Sequence, residues 1–191
     1  MRQCLAGASL AYDATTKTVV LFGGSFADDT NSNETWTWDG VTWTQQLPPV
    51  SPPARNWNAT NGMVFDSQLG KVVLFGGYTD QFVIMDDTWE WDGTSKTWTQ
   101  QFPAHNPSPR TATLAYDPIA NQVLLFGGWT NGVAYGDTWT YDGVDWTQQP
   151  AGDVAADASG QCSGFRSDHQ GGCALRRFGR CLRRLRARPV K

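Results

Sequence analysis

The sequence predicts an all-β fold built from three copies of one four-stranded unit. A Gly-Gly doublet closes an apolar run three times, at Gly23-Gly24, Gly76-Gly77 and Gly127-Gly128. Each doublet is followed by a variable stretch, then by ETWTWDG, DTWEWDG or DTWTYDG, and then by a further tryptophan before Thr-Gln-Gln. Repeats of about 50 residues made of short strands are typical of β-propeller blades. We therefore expect three consecutive blades.

The first copy shows how one repeat divides into strands. Its runs of valine, threonine and aromatic residues suit a half-buried sheet surface, and they predict strands at Ser9–Tyr12, Thr18–Phe22, Thr35–Trp38 and Thr42–Gln45. Asp39-Gly40 separates the last two runs, and Asp-Gly predicts a hairpin turn with positive φ at both residues. In the second copy two extra residues follow Asp92-Gly93, which predicts a looser hairpin.

The glycine doublets and the tryptophans recur in register and predict structural roles. The doublets indicate backbone positions that tolerate no side chain or need positive φ. Alternation along a strand places Trp36 and Trp38 on one face. We interpret the recurring rings as packing between blades, in strand three (Trp36, Trp89, Trp139) and in strand four (Trp43, Trp98, Trp146). A sugar-stacking role stays open for Trp57 and Trp129, which stand outside these series.

An arginine leads into the second and the third copy. Arg55 follows Ser-Pro-Pro-Ala, and Arg110 follows Pro-Ser-Pro. We favour a structural role, in which each guanidinium braces adjacent blades through hydrogen bonds. The alternative is a ligand contact at the rim of the propeller.

Together these motifs resemble the kelch repeat family of galactose oxidase-like β-propellers. The resemblance covers residues 2–150, divided into blades at about 5–50, 51–103 and 104–150. It implies one recognition face made by the strand two–three loops and the inter-blade loops. On that face we expect Tyr78 and Trp129 as aromatic contacts and Arg55 and Arg110 as polar contacts for a protein or glycan ligand. Propellers generally contain about 4–8 blades, so three blades predict a propeller fragment whose open edges favour self-association.

Residues 151–191 differ from the repeats in composition. They hold 9 Lys/Arg and 3 Asp/Glu, whereas residues 1–150 hold 6 and 15. The stretch up to Asp168-His169 resembles the start of a fourth blade. Our hypothesis is that the basic sequence beyond it is out of frame, which predicts an irregular, disordered tail. A nucleic-acid or membrane-surface patch is the alternative interpretation, but we predict neither partner. No signal peptide or membrane span indicates a compartment.

The sequence favours a binding module over an enzyme. The loops at Ser25–Asn33, Tyr78–Asp86 and Trp129–Gly136 differ in every copy while the strands repeat, as is typical of binding sites on a rigid scaffold. A carbohydrate-active enzyme or accessory domain, galactose oxidase-like or sialidase-like, is the alternative. Copper oxidation would need a histidine and tyrosine cluster, and the chain has two histidines, His105 and His169. We predict no catalytic residue, metal or cofactor.

Acidic residues collect just before strand three in each copy. A solvated acidic rim is the interpretation we favour, and cation binding is the alternative. The residues concerned are Asp28, Asp29, Asp86, Asp87 and Asp137.

Overall fold

The computed structural model describes residues 5–56 and 62–150, and these form three antiparallel four-stranded sheets without a helix. Each sheet is a meander in which neighbouring strands follow one another in sequence. Blade 1 contains β1 (Ser9–Asp13), β2 (Thr18–Phe22), β3 (Thr35–Trp38) and β4 (Trp43–Gln46). Blade 2 contains β5 (Met63–Asp66), β6 (Lys71–Phe75), β7 (Thr88–Asp92) and β8 (Thr97–Gln101). Blade 3 contains β9 (Thr111–Asp117), β10 (Gln122–Thr130), β11 (Val133–Tyr141) and β12 (Trp146–Gln149).

The prediction of three four-stranded blades is confirmed, with small shifts at strand ends. β1 extends to Asp13, and β4 runs from Trp43 to Gln46, one residue later than predicted. The β3–β4 turn also differs, since only Gly40 takes positive φ. Asp39 instead accepts hydrogen bonds from the N–H groups of Val41 and Thr42. A carboxylate that holds the turn in this way makes positive φ at the aspartate unnecessary.

The β7–β8 hairpin is regular and not loose, contrary to the sequence prediction. Its strands pair over one residue more than β3 and β4 do, through Asp92 and Thr97. Lys96 takes positive φ in this longer turn, and its N–H donates to the Asp92 carbonyl at 2.8 Å.

The glycine doublets occupy the left-handed conformations that the repeat predicts. All six glycines have φ between 60° and 113°. A Cβ on Gly76 would lie 2.2 Å from the Arg110 carbonyl oxygen, and one on Gly128 would lie 2.5 Å from the Thr111 carbonyl oxygen. Both the torsion and the close approach of the next inter-blade segment therefore require glycine.

Alternation along β6, the second strand of blade 2, directs its side chains to two different neighbours. In β6, Val72 and Leu74 pack against blade 1, whereas Val73 and Phe75 pack against blade 3. Two apolar clusters result, one at each blade boundary. Trp89, Trp91 and Trp98 lie in the first cluster, and Trp146 lies in the second with Trp139 packed against it, whereas the described members of the two clusters do not include Trp36 or Trp43.

The third blade departs from the other two beyond its glycine doublet. The sequence predicts a loop at Trp129–Gly136, but β10 and β11 continue as a long hairpin in which Thr130 pairs with Val133. Asn131 and Gly132 take φ of 41° and 88° at its tip. Asn-Gly supports such a two-residue turn because both positions tolerate positive φ.

Candidate functional site

The segments that join the second and third strands of the blades form one connected surface, here called the loop face. It comprises residues 25–33, residues 78–86 and the hairpin tip at 129–136. The Asn31 N–H donates to Asp80 Oδ1 at 2.6 Å, which joins the first two loops. The Arg110 N–H donates to the Met85 carbonyl at 3.1 Å, and its side chain reaches the base of the hairpin. The three segments are therefore positioned relative to one another.

Arg55 sits beneath the second loop with every part of its guanidinium engaged. Nε donates to the Pro53 carbonyl at 2.9 Å, and Nη1 donates to the Gly76 carbonyl at 3.0 Å. Nη1 and Nη2 both donate to the Asp87 carboxylate, as a two-point ion pair. Asp87 also accepts the Trp89 indole N–H at 2.7 Å. The arginine thus joins the inter-blade segment, the glycine doublet and the start of β7.

Arg110 repeats this arrangement in blade 3 and adds an aromatic contact. Its Nη1 donates to the Gly127 carbonyl at 3.1 Å, and its guanidinium pairs with Asp137, which also accepts the Trp139 indole N–H. Burial opposes ionisation of Asp137, but hydrogen bonds from Arg110 and Trp139 and the arginine charge together keep its pKa below the usual range. The Tyr135 ring lies 3.7 Å from Arg110 Cζ, a cation–π contact that supports the hairpin.

The surroundings of both arginines favour the bracing interpretation. Arg55 is fully buried and Arg110 is 1% exposed, so both guanidinium groups lie beneath the loop face and away from its solvent-facing side. Their direct contact with a ligand stays a prediction. Asp87 and Asp137 belong to these ion pairs, so the proposed solvated rim does not include them.

The acidic partners of the arginines were not predicted, although the sequence carries a signal for them. Each copy carries an acidic residue two positions before the strand-three tryptophan, as Glu-Thr-Trp or Asp-Thr-Trp. In blade 1 this residue is Glu34, whose Oε2 accepts the Trp36 indole N–H at 2.8 Å. An acid and an arginine that recur at fixed repeat positions indicate a repeated ion pair.

A buried polar cluster holds the first two loops together. Asn56 Nδ2 donates to Ser25 Oγ at 2.7 Å and to Asn31 Oδ1 at 2.6 Å. Asn31 Nδ2 donates in turn to the Tyr78 carbonyl at 3.0 Å. Because these groups satisfy one another away from water, the loop backbones are held in a fixed geometry.

Aromatic side chains cover the outer part of the loop face. Tyr78 stacks on Phe82 with ring centroids 6.2 Å apart and planes 8° from parallel. Phe82 is 74% exposed, with Val83 beside it in the chain and also exposed. Trp129 is 49% exposed near the hairpin tip, where it pairs with Ala134. Tyr78 and Trp129 stay predicted contacts, and Phe82 is a further aromatic residue on the second loop that the sequence did not predict.

The loop face is acidic. Asp28, Asp29, Asp80 and Asp86 are exposed there, and none of its three segments contains lysine or arginine. Hydrogen bonds from Thr30 lower the pKa of Asp28. Among the described residues, no group of three or more histidine, cysteine, aspartate and glutamate side chains could hold a metal ion.

The remaining sequence candidates lie elsewhere. His105 pairs with Asp145 at 2.7 Å, between the start of blade 3 and its last turn. At the β3–β4 turn, hydrogen bonds from the Thr42 and Val41 N–H groups lower the pKa of the Asp39 carboxyl. Trp57, His169 and the whole segment 151–191 lie outside the described residues. In the described part, no helix has the length and hydropathy that a membrane crossing requires.

Comparisons with known proteins agree with the geometry of the blades. A family model described as the KLHDC2/KLHL20/DRC7 Kelch-repeats domain matches residues 3–169. Kelch domain-containing protein 2 of Bos taurus is 26% identical over 116 residues, which cover 58% of this chain and 27% of that protein. The chain thus spans about a quarter of the length of that relative. The family match covers most of the sequence and includes all three blades, so this chain belongs to the Kelch-repeat domain family.

Proposed function

We propose that the chain recognises a protein partner through its loop face. Kelch domains serve in general as non-enzymatic modules that bind other proteins. The observation that carries the proposal is the exposure of Phe82 and Trp129, with the half-buried Tyr78 stacked on Phe82, on loops that ion pairs and buried amides hold in place. Exposed aromatic rings on a pre-organised surface are favoured anchors for a partner.

The chemistry of the partner follows from the charge of this surface. Four exposed aspartates lie in the first two loop segments, and none of the three segments contains lysine or arginine. A segment with apolar side chains flanked by lysine or arginine would complement both features. Arg55 and Arg110 would act beneath the surface as positioning residues, because their donors are already engaged by the protein.

The experiment uses a peptide library displayed on phage, selected on the full chain. We expect enriched peptides to combine apolar and basic residues, and to bind more weakly as ionic strength rises. Substitution of Trp129 or Phe82 by alanine should weaken binding of a synthetic peptide about 10-fold or more at an unchanged melting temperature, as expected for the loss of an interface anchor.

A matched control is Ile119→Ala, which removes another exposed apolar side chain, 92% exposed in the β9–β10 turn. It should leave peptide affinity unchanged. Equal affinity for the wild-type chain and the Trp129 and Phe82 variants would contradict the proposal. A glycan array run in parallel would also contradict the proposal if the chain bound sugars, and if the binding of sugars but not of peptides required Trp129.

A further inference from the structure

The first two loops of the loop face contain the same five-residue turn, although their sequences differ. In each turn the first residue donates its N–H to the carbonyl of the fifth, over 2.8 Å in residues 26–30 and over 3.0 Å in residues 79–83. The fourth residue donates its own N–H to the carbonyl of the first, over 3.0 Å and 2.9 Å. That fourth residue is Asp29 in the first loop and Phe82 in the second.

The fourth position of the turn has a left-handed backbone in both loops. Asp29 has a φ of 63° and Phe82 has a φ of 58°. Aspartate and asparagine tolerate this region, whereas a bulky side chain there is an outlier because its Cβ crowds the backbone. The other non-glycine residues with positive φ in the described part of the chain are lysine, aspartate or asparagine. Phe82 is therefore a strained residue in a turn that the first loop builds with an aspartate.

The strained position presents an aromatic ring to solvent. Phe82 is 74% exposed, so its ring adds little to the apolar surface that folding buries. Tyr78, which stacks on it, directly follows a glycine doublet, as Ser25 does in the first loop. The Ser25 hydroxyl instead donates to Asn31 Oδ1 at 2.7 Å. The same backbone thus carries polar contacts in the first loop and an aromatic pair in the second.

We propose that Phe82 determines which partners the loop face accepts, and that an apolar side chain of the partner packs on its ring. This inference rests on the proposed function and assigns the central contact within that surface. Residues held in sparsely populated torsions cluster at binding sites. Strain at an exposed position does not help the chain to fold, whereas a ring that is placed in advance reduces the ordering cost of binding.

The neighbours of Phe82 define the chemistry of the segment that it would receive. Val83 is 54% exposed directly after it and extends the apolar surface. Asp80 is exposed in the same turn, and its Oδ1 accepts the Asn31 N–H at 2.6 Å, which holds the carboxylate in place. A partner segment with an apolar residue next to a lysine or arginine would complement both side chains.

The test uses the full chain and the tightest-binding synthetic peptide from the phage selection. Phe82→Ala and Phe82→Asn both remove the ring, but only asparagine suits the left-handed torsion. Both variants should bind the peptide about 10-fold more weakly than the wild type. Phe82→Asn should nevertheless melt about 2–4 °C above Phe82→Ala, and within about 4 °C of the wild type. Binding would then follow the ring, and stability would follow the torsion.

Two control variants address the ring and the strain separately. Phe102→Ala removes another exposed phenylalanine, 83% exposed directly after β8, and it should leave peptide affinity unchanged. Asp29→Phe places a bulky residue at the same turn position of the first loop, so it should lower the melting temperature by about 2–4 °C. An unchanged melting temperature in Asp29→Phe would contradict the strain on which the inference depends.

The outcomes also separate this inference from the proposed function. Equal melting temperatures for Phe82→Ala and Phe82→Asn would overturn the inference, as would a Phe82→Asn variant that melts more than about 4 °C below the wild type. If both Phe82 variants keep full peptide affinity while Trp129→Ala loses it, this inference fails and the proposed function stands. If the selection returns no binding peptide, or if the Phe82 and Trp129 variants all keep full affinity, both fail.

Discussion

The indole N–H of Trp146 donates to Thr88 Oγ1 at 2.9 Å across the boundary between the second and third blades. Both residues are buried, and Trp146 is 1% exposed. The ring fills the boundary while its one polar atom is satisfied by the neighbouring blade. This contact gives the boundary a fixed register as well as apolar contact area.

Thr88→Val should destabilise the chain by about 1–3 kcal/mol, because the Trp146 N–H would stay buried without an acceptor. Urea unfolding followed by tryptophan fluorescence measures the change. Thr99→Val is the matched control, since Thr99 is an exposed strand residue in the same blade. An equal loss of stability in both variants would argue against a special role for the hydrogen bond.

Arg110→Met should reduce the free energy of unfolding by about 3 kcal/mol, the lower end of the range for breaking a buried ion pair. The lower end applies because Asp137 keeps 22% of its side chain exposed to water. Arg110→Lys should restore little stability, since an ammonium cannot reproduce the planar fork that reaches both Gly127 and Asp137. Thermal and urea unfolding measure these effects.

Lys17→Gln removes an exposed positive charge and serves as the control for Arg110. Its effect on unfolding should lie within about 0.5 kcal/mol of zero, as is usual for surface substitutions. Full rescue by Arg110→Lys would show that charge alone, and not guanidinium geometry, holds Asp137.

Gly128→Ala should destabilise the chain by at least about 2 kcal/mol more than Gly132→Ala, because only the first adds a steric clash to the torsional strain. Both glycines have positive φ, of 113° and 88°. The new Cβ would lie 2.5 Å from the Thr111 carbonyl oxygen at position 128 and would meet nothing within 4 Å at position 132. Equal melting temperatures in the two variants would contradict the close approach.

Alkaline conditions should destabilise the chain through Tyr141. Burial, followed by the charge of Glu90 and the hydrogen bond to it, raises the pKa of Tyr141 far above its ordinary value of 10.0. Above pH 10 the unfolded state therefore loses the Tyr141 hydroxyl proton, while the folded state keeps it. The stabilisation is present in full below pH 10 and is lost as the pH rises above that value.

Urea unfolding at several pH values between 8 and 11 measures this effect. Tyr141→Phe should flatten the decline in stability, whereas Tyr12→Phe, which changes an exposed tyrosine, should preserve it. Ionisation of Tyr141 in the folded chain near pH 10, seen by ultraviolet absorbance, would contradict the prediction.

The sequence predicted the blades well because the signals involved are local. Alternation, turn residues and glycine doublets act within a few residues, and three copies reinforce each interpretation. The hairpin at the third doublet was nevertheless predicted as a loop, although Asn131-Gly132 was a hairpin signal. The stacked Tyr78–Phe82 pair was only half anticipated, since ring stacking depends on the loop conformation, with Phe82 at a φ of 58°.

The sequence by itself determined the repeat, the order of the strands and the side chains that alternate between the faces of each blade. Only the tertiary structure decided how those residues are used. Arg55 is buried because a carboxylate 32 residues away folds back onto it. Phe75 and Phe126 share the local sequence Leu-Phe-Gly-Gly, yet they are 0% and 60% exposed. Phe75 is buried because a neighbouring blade packs on it. A local sequence cannot specify this burial, because burial depends on residues from other parts of the chain.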